Sequence, residues 1–105
     1  MKRSSVIIPN YNGAATIGKC LEAALSSAYP DFEVIVVDDC STDASIEIIK
    51  GFPCRLAALH THSGASKARN AGAHQAGGDI LFFIDADCIL QNEALSLAAK
   101  ALADG

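Results

Sequence analysis

Residues 33–39 read Glu33-Val34-Ile35-Val36-Val37-Asp38-Asp39. Their four β-branched residues in a row favour a strand, because branching at Cβ suits the pleated backbone better than a helix. The run does not alternate with polar residues. It therefore fits a strand buried on both faces of a parallel sheet. Three other runs resemble it. Ser5-Val6-Ile7-Ile8 stops at Pro9. Arg55 to Thr61 is a weaker third. Asp79-Ile80-Leu81-Phe82-Phe83-Ile84 ends in Asp85-Ala86-Asp87. Helical patterns lie between them. Ile17, Leu21 and Leu25 recur every four residues, and Tyr29-Pro30 is the expected stop. Ser41-Thr42-Asp43 offers N-caps for a helix through Ile46 and Ile49, closed by Gly51. Residues 64–76 form a small-residue helix suited to close packing, ended by Gly77-Gly78. Asn92 is the expected N-cap of a last helix that carries Leu95, Ala99 and Leu102 on one face. The order β-α-β-α-β-α-β-α predicts an α/β fold. It is a three-layer αβα sandwich with a mainly parallel sheet of four strands and right-handed crossovers.

The composition agrees with one folded unit over residues 1–105. Half the residues are apolar, 19% are charged and the net charge is −4. That acidic balance, with no basic stripe, argues against a nucleic-acid partner. The longest apolar run, Ile80 to Ile84, is too short to span a bilayer. The opening Met1-Lys2-Arg3 leads into a short apolar patch broken by Pro9, which is not the pattern of a secretory leader. A cytoplasmic location is therefore expected, with Cys20, Cys40, Cys54 and Cys88 as free thiols. None of the four forms a C-x-x-C or C-x-x-H pair. The length makes a complete two-substrate enzyme difficult.

Ligands of open α/β sheets bind beyond the carboxyl ends of the strands. Each predicted strand here is followed by polar residues. They are Pro9-Asn10-Tyr11-Asn12-Gly13, Asp38-Asp39-Cys40-Ser41, the stretch from His60 and His62 to Gly64 and Arg69, and Asp85-Ala86-Asp87. If the fourth strand continues outward, Asp85 and Asp87 project on one side as residues i and i+2. Two convergent carboxylates suit a hard divalent cation, Mg²⁺ or Mn²⁺, whose remaining oxygens come from a phosphate-bearing ligand. Tyr11 can stack on a base ring or serve as a core aromatic. Asp39 can accept a base N–H, or cap the following helix together with Asp38. Arg69 can pair with a phosphate or with a surface carboxylate. No P-loop and no G-x-G-x-x-G is present. His60, His62 and His74 show no partner in the sequence, so no catalytic histidine set is expected.

Four strings together resemble family 2 glycosyltransferases: Val6 to Asn12, Val34 to Asp43, Ser66 to Gly72, and Gly78 to Asp87. The resemblance runs from Val6 to the last helix. It implies a Rossmann-like fold of the GT-A type that binds a nucleotide-diphosphate sugar, with UDP as the expected nucleotide. By matching positions, Pro9, Asn10 and Tyr11 would wrap the base and Asp39 would hydrogen-bond it. Arg69 would lie near the base or the diphosphate. Asp85 would contact the ribose, and Asp87 would hold the metal. The resemblance implies inverting transfer to an acceptor hydroxyl of a glycan, lipid or protein. Family members continue well beyond the Asp-x-Asp motif and carry their general base there. Of the downstream acids here, neither Glu93 nor Asp104 matches it. This chain is thus expected to be a truncated donor-binding half, with its general base beyond residue 105 and membrane association a property of a longer protein. The alternative is a non-catalytic interaction module that forms a homodimer through an exposed sheet edge.

Overall fold

The computed structural model describes residues 2–104; Met1, Gly105 and the side chains of Ala103 and Asp104 lie outside the described part. The elements are β1 (Ser4–Asn10), α1 (Ile17–Leu25), β2 (Phe32–Asp38), α2 (Ser45–Lys50), β3 (Arg55–Ala58), α3 (Ala65–Gln75), β4 (Ile80–Phe83) and α4 (Ala94–Asp104). All strand pairs are parallel, in the order β3-β2-β1-β4. From β1 the chain moves outward to β2 and β3, then crosses back to add β4 on the other side. The direction therefore reverses between β1 and β4, where open sheets form their binding crevice.

Alternation along the two central strands sorts the layers. Val6, Ile8, Val34 and Val36 meet Ile17, Leu21, Ile49 and Leu95, which puts α1, α2 and α4 on one face. Ile35 and Val37 meet Ala68 of α3 on the other. The contact with α3 is close. A Cβ on Gly72 would lie 2.4 Å from Ile7 Cγ2 and 3.1 Å from Val37 Cγ2. This is the close packing expected of the Ala- and Gly-rich segment.

Several expectations need correction. β1 does not stop at Pro9 but runs to Asn10, paired with β2 as far as Asp38. Asn10 O accepts from Asp39 on the β2 side, and Ile7 O accepts from Ile84 on the β4 side. Pro9, two residues after Ile7, turns its missing donor toward β4, whose ladder with β1 has already ended at Ile7. α1 ends at Leu25, before Tyr29-Pro30. Ser26 Oγ donates to Glu22 O at 2.7 Å and Ser27 Oγ accepts from the Tyr29 N–H, so the two hydroxyls unwind the helix early. α2 begins later than the Ser41–Asp43 cluster, at Ser45. Asp43 reaches it by accepting the Ser45 N–H at 2.9 Å. β3 is only four residues long. Burial on both faces holds for β1 and β2 but fails for the edge strand β4, where Leu81 is 42% and Phe83 44% exposed. α3 covers β1 and β2 and leaves that face of β4 open.

Candidate functional site

The loops after β1 and β2 are laced together. Asn12 adopts the left-handed conformation (φ 51°). Its N–H donates to Ser41 Oγ at 2.8 Å, and its Oδ1 accepts the Thr42 N–H at 2.7 Å. The Ala14 N–H donates to Asp43 at 3.0 Å. Asn and Asp suit such turns because their side chains bond to nearby backbone. The lacing fixes the backbone on both sides of Tyr11, whose ring stands half exposed at the mouth of a cavity of about 490 Å³. That exposure removes the core reading of Tyr11.

Pro9, Asn10, Tyr11, Asp39, Asp85 and Asp87 all line this cavity, together with Gly13, Thr16, His62, Gly64 and Ala65. Arg69 is not in the lining. Its Nη2 stands 3.5 Å from Asp85 Oδ1, and both groups are exposed, so it adjoins the cavity through Asp85. Asn10 lines the wall as a strut. It is 1% exposed, and its Nδ2 donates to Asp38 Oδ1 at 2.9 Å. Its Oδ1 is buried without a partner among the described residues, and a Cβ on Gly13 would lie 2.3 Å from it.

Asp38 and Asp39 do not cap α2. Asp38 is fully buried and accepts from Asn10 and from the N–H and hydroxyl of Ser41. Asp39 accepts the N–H groups of Ser63 at 2.7 Å and Gly64 at 2.8 Å, ahead of α3. Burial pushes the Asp39 carboxyl up. The two backbone donors and His62 outweigh this and hold it below the usual carboxylate range.

His62 is the residue that the sequence reading missed. Its Nδ1 lies 2.9 Å from Asp39 Oδ2, and its ring lies 4.1 Å from the Tyr11 ring at 36°. Asp39 is 23 residues away in the chain, and only the fold joins the two. No local spacing signals the pair.

Asp85 and Asp87 do not sit on an outward continuation of β4. The chain turns there, with Cys88 N–H donating to Asp85 O at 3.0 Å. The i, i+2 argument therefore fails, yet the turn leaves both carboxylates on the same cavity. Among the described residues no third His, Cys, Asp or Glu joins them in a metal-holding group. Two hard oxygen donors fit a divalent cation only if a bound ligand and water supply its other oxygens. Beneath the turn, Cys20 is buried, and its thiol is pushed up to about 11 by burial, with Cys88 and Asp87 adding to the effect. It is thus a poor nucleophile or soft ligand. All four cysteines are free thiols.

A larger groove of about 750 Å³ lies at the opposite end of the strands, between Tyr29, Ile80 and α4. It is mainly apolar, with Lys2, Asp79, Ser96 and Lys100 on its lining, and it lies away from the carboxyl ends of the strands where open sheets bind ligands, so the smaller cavity is the stronger site.

Known proteins share this architecture. The family model for Glycosyl transferase family 2 matches residues 5–105. The chain is 38% identical over 106 residues to the poly(ribitol-phosphate) beta-N-acetylglucosaminyltransferase TarS of Staphylococcus aureus, covering 94% of this chain and 18% of TarS. It is 44% identical over 91 residues to the glycosyltransferase AglE of Haloferax volcanii, covering 80% of this chain and 30% of AglE. The crystal structure of TarS 1-349 in complex with UDP-GlcNAc matches with a TM-score of 0.90 at 35% identity, over 97% of this chain and 31% of that one. The mannosyltransferase PcManGT from Pyrobaculum calidifontis, in complex with GDP-Man and Mn²⁺, matches with a TM-score of 0.88 at 32% identity, over 98% of this chain and 33% of that one. The chain spans about a third or less of the length of each of these proteins. Its parallel sheet and helical layers are those of a GT-A type nucleotide-sugar transferase. On both its sequence and its fold, the chain belongs to glycosyl transferase family 2.

Proposed function

We propose that this chain is the donor- and metal-binding half of an inverting glycosyltransferase that uses a UDP-linked sugar. The observation that carries the reading is the convergence of Tyr11, Asp39, Asp85 and Asp87, from three separate strand ends, on one cavity at the switch point of the sheet. TarS in complex with UDP-GlcNAc supports a uridine nucleotide, and PcManGT in complex with GDP-Man makes guanosine the natural control.

The roles follow from the chemistry of each group. A carboxylate offers about four acceptor sites. Asp39 uses two of them on the N–H groups of Ser63 and Gly64, and its remaining acceptor capacity, on the side where His62 and the cavity lie, suits the ring N–H of a base. Tyr11 lies beside the base, and Pro9 and Asn10 form the wall. The amino ends of α1 and α3 border the cavity at Gly13, Thr16, Gly64 and Ala65, and helix amino ends attract the diphosphate. Asp85 reaches the ribose, with Arg69 alongside to meet base or phosphate. Asp87, assisted by Asp85, would hold Mg²⁺ or Mn²⁺, which offsets the charge that grows on the leaving diphosphate. In the reaction an acceptor hydroxyl forms a bond to the anomeric carbon while the bond to the diphosphate breaks. The acceptor and the general base that takes its proton are assigned to residues outside this sequence.

Calorimetric titration with UDP and with GDP, each with and without Mn²⁺, tests the reading. UDP is expected to bind in the presence of Mn²⁺, and Asp87→Ala to weaken that binding by about tenfold or more. Binding that ignores the metal, or that Asp87→Ala leaves unchanged, overturns the assignment.

One observation favours a second reading. β4 is an edge strand with Leu81 and Phe83 exposed, so a second copy of the chain could add to that edge. Light scattering that shows a stable dimer without nucleotide affinity would support an interaction module. That module leaves the converging carboxylates unexplained.

A further inference from the structure

Within the proposed site the ring of His62 already makes two particular contacts. Its Nδ1 faces two acceptors of Asp39, the carboxylate Oδ2 at 2.9 Å and the main-chain O at 3.3 Å. A nitrogen between two acceptors must carry the proton, so Nδ1–H donates. The other ring nitrogen has no protein partner among the described residues. One side of the ring lies against Tyr11 at 4.1 Å. A planar nitrogen heterocycle thus donates N–H to Asp39 and packs, at a 36° tilt, against the ring of Tyr11. The nucleotide reading gives those same two contacts to the base.

We infer that the imidazole of His62 occupies the place of the nucleobase in the free protein, and that a nucleotide must displace it in order to bind. His62 is then a competing internal ligand that sets the threshold for base recognition. The inference rests on the nucleotide reading of this cavity.

The surroundings permit the exchange. The His62 side chain is 54% exposed, so it can swing into solvent without opening the core. Asp39 keeps the N–H groups of Ser63 and Gly64 when the histidine leaves, so the carboxylate stays in position for a base. Tyr11 keeps its place because the bonds around Asn12 hold the loop.

A histidine that supported the site without blocking it would have the opposite signature, because its removal would weaken nucleotide binding. The sign decides between the two. UDP is titrated calorimetrically with Mn²⁺ into the wild type, His62→Ala and His62→Phe at pH 8.0. The alanine variant is expected to bind UDP about three- to tenfold more tightly at pH 8.0. Phenylalanine keeps the stack on Tyr11 but cannot donate to Asp39, so it should fall between. Equal or weaker binding by His62→Ala overturns the inference and leaves the nucleotide reading standing. If neither wild type nor His62→Ala binds any nucleotide, the nucleotide reading falls and takes this inference with it. Nitrogen-15 spectra of the histidine ring give a second measure. UDP should release Nδ1–H of His62 from Asp39, and a contact that persists in the bound state refutes displacement.

Discussion

Asp38 and Asp39 stand side by side in sequence, yet they face different tasks. Asp38 is fully buried and ties β1 to the β2 loop by accepting from Asn10 Nδ2 at 2.9 Å, Ser41 N at 2.9 Å and Ser41 Oγ at 2.7 Å. Removing it strands three donors, one of them on the buried Asn10. Leaving a buried donor unpaired costs roughly 1–3 kcal/mol. Asp38→Ala is therefore expected to lower stability by about 2–3 kcal/mol, or roughly 10–20 °C in Tm for a chain of this size. Thermal unfolding followed by circular dichroism checks this, and a shift of only a degree or two would deny Asp38 its structural role. Asp39 instead looks outward to the cavity. Its alanine variant should lose UDP affinity by about tenfold, a larger proportionate effect on binding than on stability. The sequence alone could not separate the two. Both suit a helix cap and only Asp39 is assigned to the base, with no local signal of Asp38's structural task; what distinguishes them physically is Asn10 on one side and Ser63, Gly64 and His62 on the other. All but Ser41 of these partners lie more than twenty residues away.

At the scale of elements, α3 is positioned by what it lacks. At Gly72 no side chain separates the helix from Ile7 and Val37. A Cβ placed there collides with two central strands that are themselves fully buried and cannot retreat. Gly72→Ala, which on an exposed helix would be favourable, should here cost about 1–3 kcal/mol. Because α3 carries Gly64, Ala65 and Ala68 into the cavity, the same change should also weaken UDP binding. A variant with raised Tm would show that α3 does not dock so closely. The element order and the close-packing character of α3 were legible, because apolar runs and small residues are local signals. Edge or centre was not. Leu81 and Phe83 belong to a run as apolar as Val34 to Val37, and only the strand order reveals that one face of β4 is left open. The turn at Asp85 escaped for a related reason. A strand was extrapolated past the point where its neighbour β1 still pairs with it, and the ladder ends at Ile7↔Phe83.

Across the whole molecule, the two ends of the sheet each hold a carboxylate that is largely shielded from solvent. Asp39 stands at the carboxyl end. Glu33 stands near the amino end, with its side chain 9% exposed; it accepts from Ser5 Oγ at 2.6 Å and from the Gly77 N–H at 2.7 Å, with Arg3 and Arg55 nearby. Burial pushes the Glu33 carboxyl up. The Ser5 and Gly77 donors, then Arg3 and Arg55, outweigh it and leave it below the usual range. Both groups are thus more acidic in the folded chain than in the unfolded one. Such groups stabilise the fold fully above the unfolded carboxylate values, about 4. That contribution is lost as pH falls through the lower folded values. Stability should therefore be level with respect to these two groups between pH 6 and 8 and fall steeply below about pH 4. Glu33→Gln keeps an acceptor for Gly77 but removes the charge. It should lower Tm at pH 7 by several degrees, as expected for roughly 1 kcal/mol, and lose less than the wild type on acidification to pH 3.5. Unfolding of both proteins at pH 7 and pH 3.5 gives the comparison. Parallel losses in the two would mean that Glu33 carries none of the acid response, which would then rest on Asp39 and Asp43.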